Sequence, residues 1–143
     1  MRVRARTDFK ARIRDGRVHA GISPSEEYFV IDVNQEEFRI IDDRGEPILY
    51  PKALFEVVDP SLPPGWQFLE YPDGAYEVGP TKTLVTGLYE DFFGSSGNRV
   101  AQAQAQQAVR EVLEAALLAG SEQDQRLLQR DLKRLAGSRY FLD

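Results

Sequence analysis

Val3, Ala5, Thr7, Phe9, Ala11 and Ile13 alternate with Arg2, Arg4, Arg6, Asp8, Lys10, Arg12 and Arg14. A period of two over this length predicts a strand with one apolar face and one charged face. Asp15-Gly16 follows. That pair suits a tight hairpin, whose two central positions need φ > 0, and it predicts a return strand over residues 17–22. Pro24 and Ser25 break the pattern. EEYFVIDVN and EEFRIIDD then predict two strands joined near Asn34-Gln35. Asp42-Asp43-Arg44-Gly45 is a turn, EPILYP a short strand, and LFEVVD the last strand before Pro60.

Pro60, Pro63, Pro64 and Gly65 form a stiff connection. WQFLEY and AYEVG flank Pro72-Asp73-Gly74, the turn chemistry of a second hairpin. LVTGLYEDFFGSSGN follows, with Leu88, Tyr89, Phe92 and Phe93 close together. Beyond it, Ala101, Ala105, Ala108, Val109, Val112, Leu113, Ala116 and Leu117 recur at helical spacing after Asn98, a suitable N-cap. Gly120 stops this helix, and Ser121-Glu122-Gln123-Asp124 reads as a capping box with Asp in place of Glu. A second helix places Leu128, Leu132 and Leu135 on one face and ends at Gly137. Tyr140, Phe141 and Leu142 are expected to fold back, since three such residues in a row are costly to leave wet. The pair predicts an antiparallel helical hairpin. Its alanine face allows close approach to the partner helix or to a second subunit, so a homodimer through these helices is the oligomer it would permit.

The ending DRGEPILYPKALFEVVD, with five short strands and a long loop after the first, resembles a Src-homology-3-like barrel over residues 1–60. The resemblance implies a short strand at residues 48–50, a step at Pro51, one 3₁₀ turn at residues 52–54 and a closing strand at residues 55–59. Signalling members of that family bind proline-rich helices on an aromatic groove that includes a tryptophan. This chain has no tryptophan before Trp66, so that activity is not carried over. The expected class is α+β: a barrel over residues 1–60, a Trp-containing hairpin and aromatic, acidic loop over residues 61–97, and a helical hairpin over residues 98–143.

Composition narrows the partner more than the chemistry. The chain has 143 residues, 42% hydrophobic and 29% charged, and no cysteine. That excludes disulfides and cysteine-bound zinc, and fits a reducing, cytoplasmic setting. No apolar run approaches the roughly 18 residues of a membrane helix, so no membrane partner is expected. Residues 1–20 hold seven basic and two acidic side chains, a net of +5. Residues 21–98 hold four and fifteen, a net of −11. An anionic centre of this strength repels phosphate and attracts a basic protein. The early arginines, alternating with apolar residues, are expected on the wet face of the sheet, answered by carboxylates of residues 26–59.

Catalytic and cofactor motifs are not evident. His19 is the single histidine, and no strained nucleophile motif accompanies it. GSSGN lacks the lysine of a phosphate loop. Asp42, Asp43 and Glu46 carry oxygen ligands, but their spacing fits no calcium loop, and a solvated turn is the expectation. No cofactor, no metal and no enzymatic activity are expected. The Trp-containing hairpin and the YEDFFG segment, within residues 63–97 of a small acidic chain, resemble immunity proteins of bacterial toxin systems. The resemblance implies a protein that covers the active site of a basic toxin or effector. The expected contacts are Trp66, Glu70, Tyr71, Asp73, Tyr76, Glu77, Tyr89, Glu90, Asp91 and Phe92. The alternative is a nucleic-acid-binding barrel using Arg2, Arg4, Arg6, Lys10, Arg12, Arg14 and Arg17.

Overall fold

A computed structural model describes residues 1–8 and 21–142. The expected hairpin at Asp15-Gly16, with His19, lies outside the described residues. The class is α+β. Seven strands form one antiparallel sheet: β1 (Arg2–Ala5), β2 (Glu27–Asn34), β3 (Glu37–Ile41), β4 (Pro47–Pro51), β5 (Phe55–Asp59), β6 (Trp66–Glu70) and β7 (Tyr76–Pro80). Three helices follow: α1 (Leu88–Phe92), α2 (Arg99–Ala119) and α3 (Glu122–Ala136). The main path runs β4-β3-β2-β1-β5, and β7 joins β2 with β6 at its outer side. A single 3₁₀ turn, Lys52–Leu54, connects β4 to β5. These two strands end the path and do not pair with each other, so the sheet is open where a closed barrel was expected.

The strand expected over residues 2–14 stops at Ala5. Its neighbours explain the stop: β5 begins opposite Ala5 and β2 begins opposite Arg4, so the ladder runs out there. Thr7 and Asp8 turn away. Gly21 and Ile22, at the end of the expected return strand, are likewise outside any strand. Gly21 instead sits so close to Tyr50 and Asp42 that a Cβ there would fall 2.1 Å from the Tyr50 hydroxyl. Its carbonyl accepts from Asp43 N at 2.8 Å.

β2 organises the core because both its faces are covered. Tyr28, Val30 and Val33 join Val3, Phe38, Ile40, Tyr50, Leu54 and Phe55 inside the curved sheet. Phe29 and Ile31 point the other way, into a second cluster with Ile41, Phe92, Val109, Leu113, Leu128 and Leu135. A strand buried on both faces reads as a nearly continuous apolar run, which is what YFVIDV is.

The helices start and stop where local chemistry dictates. Asn98 Oδ1 accepts from Val100 N and Ala101 N, each at 3.1 Å. Ser121 and Asp124 form the reciprocal capping box. After α3 the chain returns along α2: Gln106, nearly fully buried, donates to the carbonyls of Phe92 at 3.0 Å and Tyr140 at 2.7 Å, and accepts from Leu142 N at 2.7 Å. Tyr140 and Phe141 pack on the second cluster, as the tail pattern implied. Part of the alanine face of α2, at Ala115, Ala116 and Ala119, lies toward the chain's own Pro63 and Pro64. Ion pairs from α3 and the tail rim its seat on the sheet: Arg130 to Glu26 at 3.1 Å, Arg134 to Asp43 at 3.5 Å and Arg139 to Glu46 at 3.4 Å.

Asp42 is not a solvated turn residue. It is fully buried, and its carboxylate accepts from the Tyr50 hydroxyl at 2.8 Å, from Arg44 Nη2 at 3.0 Å, and from the backbone N–H groups of Arg44 and Glu46. The turn closes on itself because its carboxylate replaces water as the acceptor. No helix among the described residues is long and apolar enough to cross a membrane.

Candidate functional site: a cleft beside the second hairpin

The arginines of β1 are answered inside the molecule. Arg2 is nearly buried and reaches Glu27 at 3.1 Å, Asp59 at 3.6 Å and Asp124 at 2.9 Å. Arg4 meets Glu27 at 3.4 Å, and Arg6 meets Glu56 at 3.2 Å. Lys10, Arg12, Arg14 and Arg17 lie outside the described residues.

The second hairpin behaves differently. β6 and β7 pair from Trp66–Pro80 to Glu70–Tyr76, and Pro72-Asp73-Gly74 makes the turn, with Asp73 Oδ1 accepting from Ala75 N at 3.0 Å. Gly74 takes φ +86°, the left-handed conformation a glycine supplies without strain. Among the described residues no cation forms an ion pair with Glu70, Asp73, Glu77, Glu90 or Asp91. The aromatics divide between the two sides of the hairpin. Phe68, 60% exposed, stacks on Tyr76 at 5.6 Å, and the Tyr76 hydroxyl accepts from Lys52 Nζ at 3.2 Å. Tyr71 stands on the other side, facing Glu77.

Between β7, the start of α1 and the outer surface of β2 and β3 lies a cleft of about 600 Å³. Its floor is Asp32, Arg39 and Tyr89; its walls include Leu49, Leu69, Leu84 and Val85; its rim carries Tyr71, Glu77 and Glu90. Asp32 Oδ2 accepts from Arg39 Nε at 2.9 Å, and Arg39 Nη1 donates to the Pro47 carbonyl at 2.9 Å. The guanidinium carbon lies over the Tyr89 ring, 3.6 Å from its centre. Gly79 lets β7 lie close to Asp32 of β2, because a Cβ there would sit 2.9 Å from Asp32 Cβ.

Burial raises the Asp32 carboxyl above its ordinary range, against the pull of the Arg39 charge. Burial, and then the Asp32 charge, push the Tyr89 phenol up, so it stays protonated. Its hydroxyl is buried beside Asp32 and Thr83 without a well-formed hydrogen bond. The Glu77 charge raises Tyr71. The cleft therefore holds one cation and three carboxyls, with the cation already committed to the floor. Such a site favours a positively charged group. Among the described residues no three acidic or imidazole groups are placed to hold a metal ion.

Of the ten contacts expected from the sequence, Tyr71, Glu77, Tyr89 and Glu90 line this cleft. Glu70 and Asp73 are exposed on the hairpin, and Asp91 is half-buried on α1. Tyr76 faces Phe68 and Lys52. Trp66 packs partly into the first core and borders a smaller apolar cleft against α2. Phe92 has no exposed surface; it sits in the second core against Phe93, and as a contact residue it is corrected to a core residue. Sequence reasoning missed Asp32, Arg39 and the segment 83–87. The signal was there: FVIDV and FRII each set one charge inside an apolar strand. A charge so placed needs a partner.

Compared with protein-family models, with curated proteins and with solved structures, the chain matches none.

Proposed function

We propose that the chain is a non-enzymatic protein-binding module, an immunity-type inhibitor of a basic bacterial effector, built on a Src-homology-3-like scaffold. The strand path β4-β3-β2-β1-β5 and the 3₁₀ turn between β4 and β5 support the scaffold. One contrast carries the function. The guanidinium groups of Arg2, Arg4 and Arg6 are matched by carboxylates within the chain. The carboxylates of the second hairpin and α1, among the described residues, are not matched by cations. Unmatched charge at a surface steers association with the opposite sign and makes it salt-dependent. For Arg2, Arg4 and Arg6 the same contrast disfavours the nucleic-acid alternative, since a neutralised arginine releases few counterions from a phosphate backbone.

The test is capture of basic proteins from the native host by the immobilised chain at about 50 mM salt, where surface charges are weakly screened. The triple variant Glu70→Gln/Asp73→Asn/Asp91→Asn is run in parallel. A basic protein retained by the parent, and lost from the variant and from the parent at high salt, supports the reading. Failure to recover a basic protein, or equal recovery by the variant, defeats it.

A further inference from the structure

We infer that the cleft between β7 and α1 receives an arginine side chain of the partner protein; this rests on the reading of a basic protein partner given above. Three observations converge on that occupant. The first is shape: about 600 Å³ opens beside β7, within the range of ligand-binding clefts. The second is charge: Glu77 and Glu90 stand on the rim, while Arg39 is held down by Asp32, the Pro47 carbonyl and the Tyr89 ring. The third is the Tyr89 hydroxyl, buried at the floor beside Asp32 and Thr83 with no well-formed hydrogen bond among the described residues. A buried polar group left unsatisfied is costly, and an incoming donor would relieve it.

The walls discriminate among cations. Leu49, Leu69, Leu84 and Val85 offer an apolar lining suited to a three-carbon stem. Tyr71, 43% exposed, presents a ring at the mouth for a planar cation to stack on. Guanidinium is less strongly hydrated than ammonium, and its planar fork can pair with a rim carboxylate through two parallel hydrogen bonds, so arginine fits better than lysine. Gly87 enters α1 in the left-handed conformation (φ +81°), which brings Leu88 and Tyr89 round beneath the cleft.

The probe is Nα-acetyl-arginine amide, titrated into the ¹⁵N-labelled full-length chain and followed by amide chemical shifts. Saturable shifts are expected at Leu69, Tyr71, Glu77, Val85 and Tyr89, with a dissociation constant of about a millimolar for a ligand of this size. The citrulline analogue, equal in shape but uncharged, should bind at least about tenfold more weakly, and the lysine analogue should fall between the two. Glu77→Gln should weaken arginine about fivefold, and Tyr89→Phe, which leaves the ring under Arg39, about threefold. Citrulline binding as well as arginine, shifts outside the cleft, no saturable shift, or indifference to both variants would each overturn the inference. The capture experiment uses Glu70, Asp73 and Asp91, none of which lines the cleft. Capture that succeeds while the titration fails removes the arginine pocket and keeps the basic partner; the converse removes the partner.

Discussion

Asp131 sits on the inward face of α3, three residues after Leu128 and four before Leu135, with no exposed surface. Arg130 Nη2 donates to its Oδ1 at 3.3 Å, while Oδ2 is buried with no donor among the described residues. Burial pushes this carboxyl up to about 7, and the charges of Arg130 and Arg134 only partly oppose it. The unfolded chain releases this proton near 3.8. Between the two values the folded state binds more protons than the unfolded state, so stability falls as pH rises from about 4 to 7. At 1.36 kcal/mol per pH unit, the whole loss is about 4 kcal/mol, and the part between pH 5 and pH 8.5 is about 2.5 kcal/mol. Asp131→Asn has the shape of the neutral acid and no proton to lose. Its advantage over the parent should therefore grow by about 2.5 kcal/mol between pH 5 and pH 8.5, whatever small packing change it carries. Urea unfolding at both pH values reads this difference directly, and titrations elsewhere in the chain cancel in it. In thermal melts it corresponds to about 8 °C, at about 3 °C per kcal/mol for a chain of this length. An advantage that changes by less than about 0.5 kcal/mol between the two pH values would refute a carboxyl held neutral by the core.

Gly45→Ala should be among the most damaging substitutions in a turn, because Gly45 is buried under α3. Gly45 has φ +80°, and a Cβ there would fall 2.0 Å from the Arg134 carbonyl, forcing α3 from the sheet. A loss of about 3 kcal/mol in urea unfolding is expected, and a loss under about 1 kcal/mol would contradict the close approach. Gln106→Ala leaves Leu142 N and the Phe92 carbonyl without their side-chain partner and leaves the Tyr140 carbonyl with Gln102 alone, so a loss of about 2 kcal/mol and faster amide exchange at Leu142 are expected. Unchanged exchange there would rule out the clasp. Arg39→Leu strands a part-buried Asp32 carboxylate and should cost about 3 kcal/mol at pH 7, with a deficit that shrinks toward pH 4, since burial raises the Asp32 carboxyl and favours its neutral form as pH falls. An equal deficit at both pH values would mean that the pair is not electrostatic.

Periodicity made most elements legible. Strands β2 to β7 and helices α2 and α3 lie where alternation, helical spacing and caps put them, because Asn98, the Ser121–Asp124 box and the glycine turns act within a few residues of chain. Long-range facts were not legible. Alternation continued past Ala5, yet the strand ends there because its neighbours end. Phe92 looked like its neighbours Tyr89 and Phe93; only tertiary packing separates a core ring from one at a cleft. Gln106 sat in an apparently uninformative QAQAQQ run, but it ties three backbone groups from two distant segments. Asp42 and Asp131 show the same difficulty in acidic form: a carboxylate in a turn or helix reads as wet until its burial is known. The cleft was half legible, through Tyr71, Glu77, Tyr89 and Glu90. Its floor pairs Asp32 with Arg39 across two strands, and only β-register brings those together.

The central physical point is that positive charge on β1 is spent inside the molecule while negative charge on the second hairpin faces outward. Paired anisotropy titrations of the full chain at about 50 mM salt address it most directly, one with a fluorescent arginine-rich nonapeptide and one with a fluorescent DNA duplex of equal label. The peptide should bind, lose affinity steeply with added salt, and bind the Glu70→Gln/Asp73→Asn/Asp91→Asn variant more weakly, while the duplex should leave the signal flat. A duplex that binds with a steep salt slope, beside a peptide that does not bind, would reverse the assignment of the two faces.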